Sequence, residues 1–205
     1  MNSSNVATRD FYTALKERRS IYAISNEQVA SDERIKEIIH HAVKYTPSSF
    51  NSQSARVVVL LGDKHKKLWD ITTDTLKAVV PADKFAPTQE KMDAFSAGYG
   101  TVLFFEDDEV VKGLQEQFAL YADNFPVWSN QSNGMLQLVV WIALEQEGYG
   151  ASLQHYNPLI DDKVKAEWNI PASWKLIAQM PFGKPVAPAG DKDFQPLEER
   201  VKIFK

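Results

Sequence analysis

Two short stretches carry residue types suited to chemistry: Arg18-Arg19-Ser20, and Pro47-Ser48-Ser49-Phe50-Asn51-Ser52-Gln53 one helix later. A planar guanidinium can grip two phosphate oxygens at once, and a neighbouring hydroxyl takes a third. The hydroxyls and amides of the second stretch offer donors and acceptors together, as the polar edges of a flat heterocycle require. Together they predict a bound nucleotide-like cofactor. Each stretch also has a plainer use. Arginines at the end of a helix complement its macrodipole, and Pro, Ser and Asn favour turns wherever they stand.

Other elements must hold these residues in place. Phe11, Ala14 and Leu15 recur at helical spacing, so a helix from Ala7 to Lys16 presents the arginines at its end. Ser31 is expected to cap a second helix, with Asp32 and Glu33 in its first turn and Ile35, Ile38, Ile39, Ala42 and Val43 on its inner face; Pro47 stops it at the polar loop. The aliphatic run Arg56 to Leu61 predicts a central strand buried on both faces. Asp63 to Val80 reads as a helix, Pro81 to Gln89 as irregular, and Thr101 to Phe105 as a second strand.

Ser129 is expected to cap the most apolar helix, which runs to Gly148 with apolar residues around nearly its whole circumference. Asn133, Gly134 and Gln137 interrupt it, so it suits burial inside protein, partly at a subunit interface, and not a bilayer. Lys175 to Met180 gives a further strand. A tail punctuated by Pro and Gly follows from Pro181 and ends in Val201-Lys202-Ile203-Phe204, whose alternation suits pairing with a sheet edge of this or another chain.

At 205 residues the chain fits one domain, 1–205. A net charge of -4 gives no cationic field for nucleic acid. The absence of cysteine excludes disulfides, thiolate catalysis and cysteine metal sites, and no histidine pair has metal-ligand spacing, so redox chemistry must come from a bound group. The start, Met1-Asn2-Ser3-Ser4-Asn5, has neither a cationic region nor an apolar one, which predicts a cytoplasmic protein with no membrane partner. His40, His41 and His65 are expected at the surface.

Glu17-Arg18-Arg19-Ser20, the Pro47–Gln53 stretch, and Gly148-Tyr149-Gly150-Ala151-Ser152-Leu153-Gln154-His155-Tyr156, in that order, resemble the FMN-dependent nitroreductase family. The segment 125–132 (Phe-Pro-Val-Trp-Ser-Asn-Gln-Ser) and the tail Pro196-Leu197-Glu198-Glu199-Arg200-Val201 are similar to those of its small bacterial and fungal subgroup. The resemblance implies an α+β fold with a central, mostly antiparallel sheet flanked by helices. It implies an intertwined homodimer with C-terminal tail exchange and FMN at two interface sites. It further implies ping-pong chemistry, in which NADH or NADPH reduces the flavin at N5 and leaves before a nitroaromatic or quinone is reduced. No protein side chain is then a required catalyst.

Carried over residue by residue, the resemblance gives Arg18, Arg19 and Ser20 to the phosphate and places Pro47, Ser48 and Ser49 against the flavin of the partner subunit. Asn51 and Gln53 serve the ring edges, and Leu153, Gln154 and His155 run past N5, with His155 either a proton donor or a scaffold residue. Lys192 or Lys184 returns to the phosphate. The chain departs from the family at Tyr22, where many members carry Lys, which leaves Arg18 or Arg56 to face N1 and the C2 carbonyl. That departure also keeps open a flavin-binding regulatory protein with little turnover. Phe50, Phe85, Phe125 and Trp128 are expected to wall the substrate side, where flat electron-poor rings stack.

Overall fold

Residues 10–205 are described by the computed structural model; the Met1–Asn5 start and residues 7–9 of the first expected helix lie outside them. Asp10 caps α1 (Phe11–Glu17), its carboxylate accepting from the Tyr12 and Thr13 amides. Then follow β1 (Ile24–Ser25), α2 (Asp32–Tyr45), β2 (Ala55–Leu61), α3 (Asp63–Lys77), α4 (Ala86–Ser96) and β3 (Gly100–Asp107). α5 (Asp108–Gln117), α6 (Phe125–Gln146), β4 (Gly150–Ala151), α7 (Asp161–Trp168), β5 (Trp174–Pro185) and α8 (Leu197–Arg200) complete the chain. The sheet is antiparallel in the order β1-β5-β3-β2, with β4 also on β5, between two helical layers, so the expected α+β class is observed.

Alternation along β3 organises both layers. Val102 and Phe104 point into a core with Ile35, Ile38, Ile39 and Ala42 of α2 and Leu136, Val140 and Leu144 of α6. Leu103 and Phe105 point the other way, to Leu68, Trp69 and Leu76 of α3, Met92 and Phe95 of α4, and Val164 of α7. On β5, Ala178 joins the first core and Leu176 the second despite their even spacing. The register shift opposite Phe104 and Phe105 accounts for this, because one extra residue turns the strand over. Gly183 admits β1 at close range: a Cβ there would lie 2.4 Å from the Ser25 carbonyl oxygen.

Several expectations change. The central strand is β3, buried throughout, whereas the run at Arg56–Leu61 is β2 at the sheet's edge and mostly half-buried. A continuous aliphatic run reports apolar surroundings on both faces, not a neighbour on both edges. Pro81–Gln89 is not wholly irregular, since α4 begins at Ala86 with Pro87 in its first turn, where the missing N–H costs nothing. Pro181–Pro185 belongs to β5. Ser129 is not a cap: α6 starts a turn earlier at Phe125, and the buried Ser129 hydroxyl donates back to the Pro126 carbonyl. Val43 is exposed, unlike the other four inner positions of α2. The 22-residue α6 leaves Met135, Leu138 and Val139 exposed on one side, and no described helix is long and apolar enough to cross a membrane.

His65 is buried, not at the surface. Trp69 Nε1 donates to Thr101 Oγ1 (3.1 Å), which donates to His65 Nδ1 (2.8 Å), and His65 Nε2 donates to the Ser96 carbonyl (3.2 Å). In this arrangement the imidazole is neutral, with its proton on Nε2. Burial accordingly pushes the His65 pKa down to about 4. A folded pKa below the unfolded value gives stability that is complete above about pH 6.5 and lost as pH falls toward 4. We expect the wild-type chain to lose about 2 kcal/mol between pH 7 and 4.5 from this residue. Urea midpoints at the two pH values, compared with those of H65Q, measure it; equal pH slopes would refute it.

Candidate functional site

At the end of α1 the chain turns into an extended segment, and Ser20 bridges Ala151 in parallel while the Ile21 amide donates to the Ala151 carbonyl (2.9 Å). The Pro- and Gly-rich tail returns over this turn, where Arg19 Nη2 donates to the Gly190 carbonyl (2.6 Å). Between them lies a cavity of about 440 Å³ lined by Arg18, Arg19, Ser20, Tyr22 and Lys192, among others. The Arg18 guanidinium lies 4.3 Å from the centre of the Trp141 ring, and its Nε is buried with no hydrogen-bond partner among the described residues. Burial, and then the neighbouring Arg19 charge, holds the Arg18 pKa below the ordinary arginine value, with Glu145 opposing. Lys184 is drawn away from the cavity, bonded to Glu27 at 2.5 Å.

The bridge at Ala151 brings the following segment alongside. Gln154 and Gln179 exchange backbone bonds (2.7 and 2.9 Å), and Gln179 Oε1 accepts from the Tyr156 amide (2.7 Å). Gln154 Nε2 donates to the buried Ser152 hydroxyl (3.1 Å). Leu153 packs on the core, whereas His155 is exposed. Arg18–Tyr22 and Lys192 therefore line one cavity, and from Ala151, bridged to Ser20, the Leu153–His155 segment runs on alongside the middle of β5.

The Pro47–Gln53 loop stands elsewhere. Pro47, Ser48 and Gln53 line a groove of about 840 Å³ between α2 and β2 that shares no lining residue with the Arg18 cavity. Phe50, Asn51 and Gln53 all have positive φ (57°, 50° and 49°), a conformation that costs about 1 kcal/mol or more for Phe and Gln and less for Asn. Ser48 Oγ steadies the loop by accepting from the Gln53 amide (2.9 Å). Arg56 is committed to Asp107 (3.0 Å) and to the Gln53 carbonyl (2.6 Å) and lines the α2–β2 groove, not the cavity that holds Tyr22.

Phe50 meets Trp128 nearly parallel (18°, 6.1 Å between centroids) and Phe125 edge-on (5.3 Å), so three of the four expected wall residues gather. Phe85 does not join them; it packs on the opposite layer with the α3 and α4 core, because it ends the turn that leads into α4. Phe118 (4.9 Å) and Tyr121 (6.2 Å) complete the cluster around Phe50 instead. Their spacing with Phe125 and Trp128, at i, i+3, i+7 and i+10, is the helical signal that could have found them.

Beneath the loop, sequence reasoning missed a buried polar chain. Ser54 Oγ donates to Glu106 Oε2 (2.6 Å), Asn133 Nδ2 donates to Glu106 Oε1 (2.8 Å), and Gln137 Nε2 donates to Asn133 Oδ1 (2.7 Å). Two of the polar interruptions in the apolar helix, Asn133 and Gln137, are its partners on α6.

The donor set of the first cavity suits the phosphate end of FMN: two guanidinium groups, a hydroxyl and an ammonium converge there, and one buried N–H lacks an acceptor. The profile of the nitroreductase family matches residues 15–184. The Saccharomyces cerevisiae protein HBN1 is 38% identical over 204 residues, covering 98% of this chain and 99% of that one. The structure of nitroreductase CinD from Lactococcus lactis in complex with nicotinic acid is 50% identical, with a TM-score of 0.90 over 96% of this chain and 100% of that one. Structures of CinD with chloramphenicol and with 4-nitrophenol, each 49% identical, also match, both with a TM-score of 0.88 over the same shares.

Proposed function

Because this chain belongs to the nitroreductase family, we propose that it is an FMN-dependent oxidoreductase that takes hydride from NADH or NADPH and passes it to nitroaromatic compounds, and to quinones. The observation that carries the reading is the convergence of Arg18, Arg19, Ser20 and Lys192 on one cavity beside the Ala151–His155 segment. Bound there, the flavin supplies the two-electron chemistry. Arg18 and Arg19 hold the phosphate, Ser20 adds a hydroxyl donor, and Lys192 closes the cavity from the tail. Leu153, Gln154 and His155 offer backbone groups to the ring, and solvent provides the protons. CinD is seen with two nitro compounds and with a pyridine carboxylate, which supports flat nitroaromatic acceptors and a nicotinamide donor for this chain.

The reading includes a cytoplasmic homodimer of single-domain chains. Met135, Leu138 and Val139 leave an apolar face on α6, and β2 leaves one edge unpaired among the described residues. Val201, Ile203 and Phe204 are exposed on their own protomer, so tail exchange onto the partner's β2 would cover both. In such a dimer the Pro47–Gln53 loop of one protomer serves the flavin of the other, which is why the two groups line separate cavities within one chain.

The second reading, a flavin-binding regulator, draws on Tyr22, which places an exposed aromatic ring and no charge where a cation would ease flavin reduction. One experiment separates the two. Purified protein is expected to be yellow, to bleach anaerobically with NADH or NADPH, and to regain colour with chloramphenicol. Colour without bleaching would leave only the regulator, and colourless protein unable to take up FMN would end both readings.

A further inference from the structure

The clamp formed by Ser54, Glu106, Asn133 and Gln137 has no part in the flavin site as described so far. Burying a carboxyl group is costly unless its oxygens are satisfied. At Glu106, 2% exposed, each oxygen accepts one bond from a neutral donor. Burial pushes its pKa above the usual carboxylate range; Ser54, Asn133 and the Arg56 charge oppose this, and Asp108 adds to it. A leucine would avoid that cost, so the position calls for a local task.

What the carboxyl group joins indicates the task. Residues 102, 104 and 106 share one face of β3, which directs Glu106 toward α6. On one side it reaches Asn133, and through it Gln137, about one and a half and two and a half turns beyond Trp128 on the same helix. On the other it holds Ser54, which closes the loop containing the three positive-φ residues. The Ser54 carbonyl also accepts from the Asp107 amide (3.0 Å), so the loop's exit is fixed to β3 twice. Nothing comparable pins Phe50 itself, whose ring reaches α6 through aromatic contacts.

We propose that Glu106 is a positioning residue: through Ser54 and Asn133 it clamps the 48–54 loop to α6, fixing the Phe50–Trp128 wall of the acceptor site and the polar groups that the loop offers to flavin. The clamp acts by hydrogen-bond geometry and not by charge. A glutamine there can donate to Ser54 and accept from Asn133, so it keeps the clamp, whereas leucine removes it. The inference rests on the flavin reading for its ligands but not for its geometry.

Backbone hydrogen exchange of residues 49–55 in flavin-free protein reads the geometry, and titration of FMN-loaded protein with 4-nitrophenol reads the site. E106L is expected to speed exchange in 49–55 by about tenfold, while α3 and α7 on the far side of the sheet stay protected. It should weaken 4-nitrophenol binding by about tenfold, and E106Q should bring both values to within about threefold of wild type. A general loss of packing would loosen distant elements as well and would not be rescued by glutamine. If E106L does not fold, S54A, which removes one bond of the clamp and no charge, should reproduce the local exchange at smaller amplitude. Unchanged exchange at 49–55 in the folded variant, or a defect in E106Q equal to that of E106L, would overturn the proposal. Faster local exchange in a protein that never binds FMN would support the clamp and remove the flavin reading alone.

Discussion

Replacing Arg18 and Arg19 together by alanine is expected to raise the Kd for FMN at least about 10²-fold, since each hydrogen bond to a charged group contributes about 1.5–3 kcal/mol. The two arginines differ in what holds them. Arg19 is tethered to the tail through Gly190, whereas Arg18 lies over Trp141 with its Nε buried and unmatched. A buried N–H without an acceptor is a cost that a phosphate oxygen would remove. Riboflavin, which lacks the phosphate, provides the internal control: its affinity should change little in the double variant. Quenching of flavin fluorescence on titrating the apoprotein measures both values. R19K tests the fork, because an ammonium keeps the charge but cannot bind two oxygens in a plane. An FMN affinity within threefold of wild type in the double variant would contradict the phosphate assignment.

Deleting residues 201–205 is expected to convert the dimer to monomers at micromolar concentration and to weaken FMN binding with it. The tail carries Val201, Ile203 and Phe204, exposed on their own protomer. Burying the two that share a face in an extended segment, Val201 and Ile203, contributes about 3 kcal/mol per tail, and with two tails exchanged roughly four decades in the dimer constant. Strand periodicity sharpens the test. Val201 and Ile203 share a face in an extended segment, so V201D/I203D should mimic the deletion, while K202A, on the other face, should not. Sedimentation velocity separates the species. A truncated chain that stays dimeric with full FMN affinity would place the interface elsewhere, with the exposed face of α6 the remaining candidate.

Much of the candidate site was legible because its signals are local. The chemistry of Arg18-Arg19-Ser20 and of the Pro47–Gln53 loop depends on residue type, and their cavities appear where those residues stand. The cap of α2 was equally plain, as Ser31 accepts from the Arg34 amide and the aliphatic stripe behind it is buried. The failures share a different cause. His65 looked like a surface residue because its sequence neighbours are charged, yet its partners Ser96 and Thr101 come from 31 and 36 residues away. Phe85 and Phe118 are alike as residues, and only the packing of separate helices sends one to the core and the other to the aromatic wall.

By itself the sequence determined which groups are available: no thiol, an Arg-Arg-Ser turn, a polar loop and the periodicities that make helices and strands, all set by side chains within a few residues of one another. Tertiary structure decided which strand lies at the centre, that Lys192 and not Lys184 lines the cavity with the arginines, and that Glu106 meets Ser54 and Asn133. Those outcomes depend on contacts between segments far apart in the chain, whose free energies are settled by packing and desolvation, and a linear pattern does not encode them.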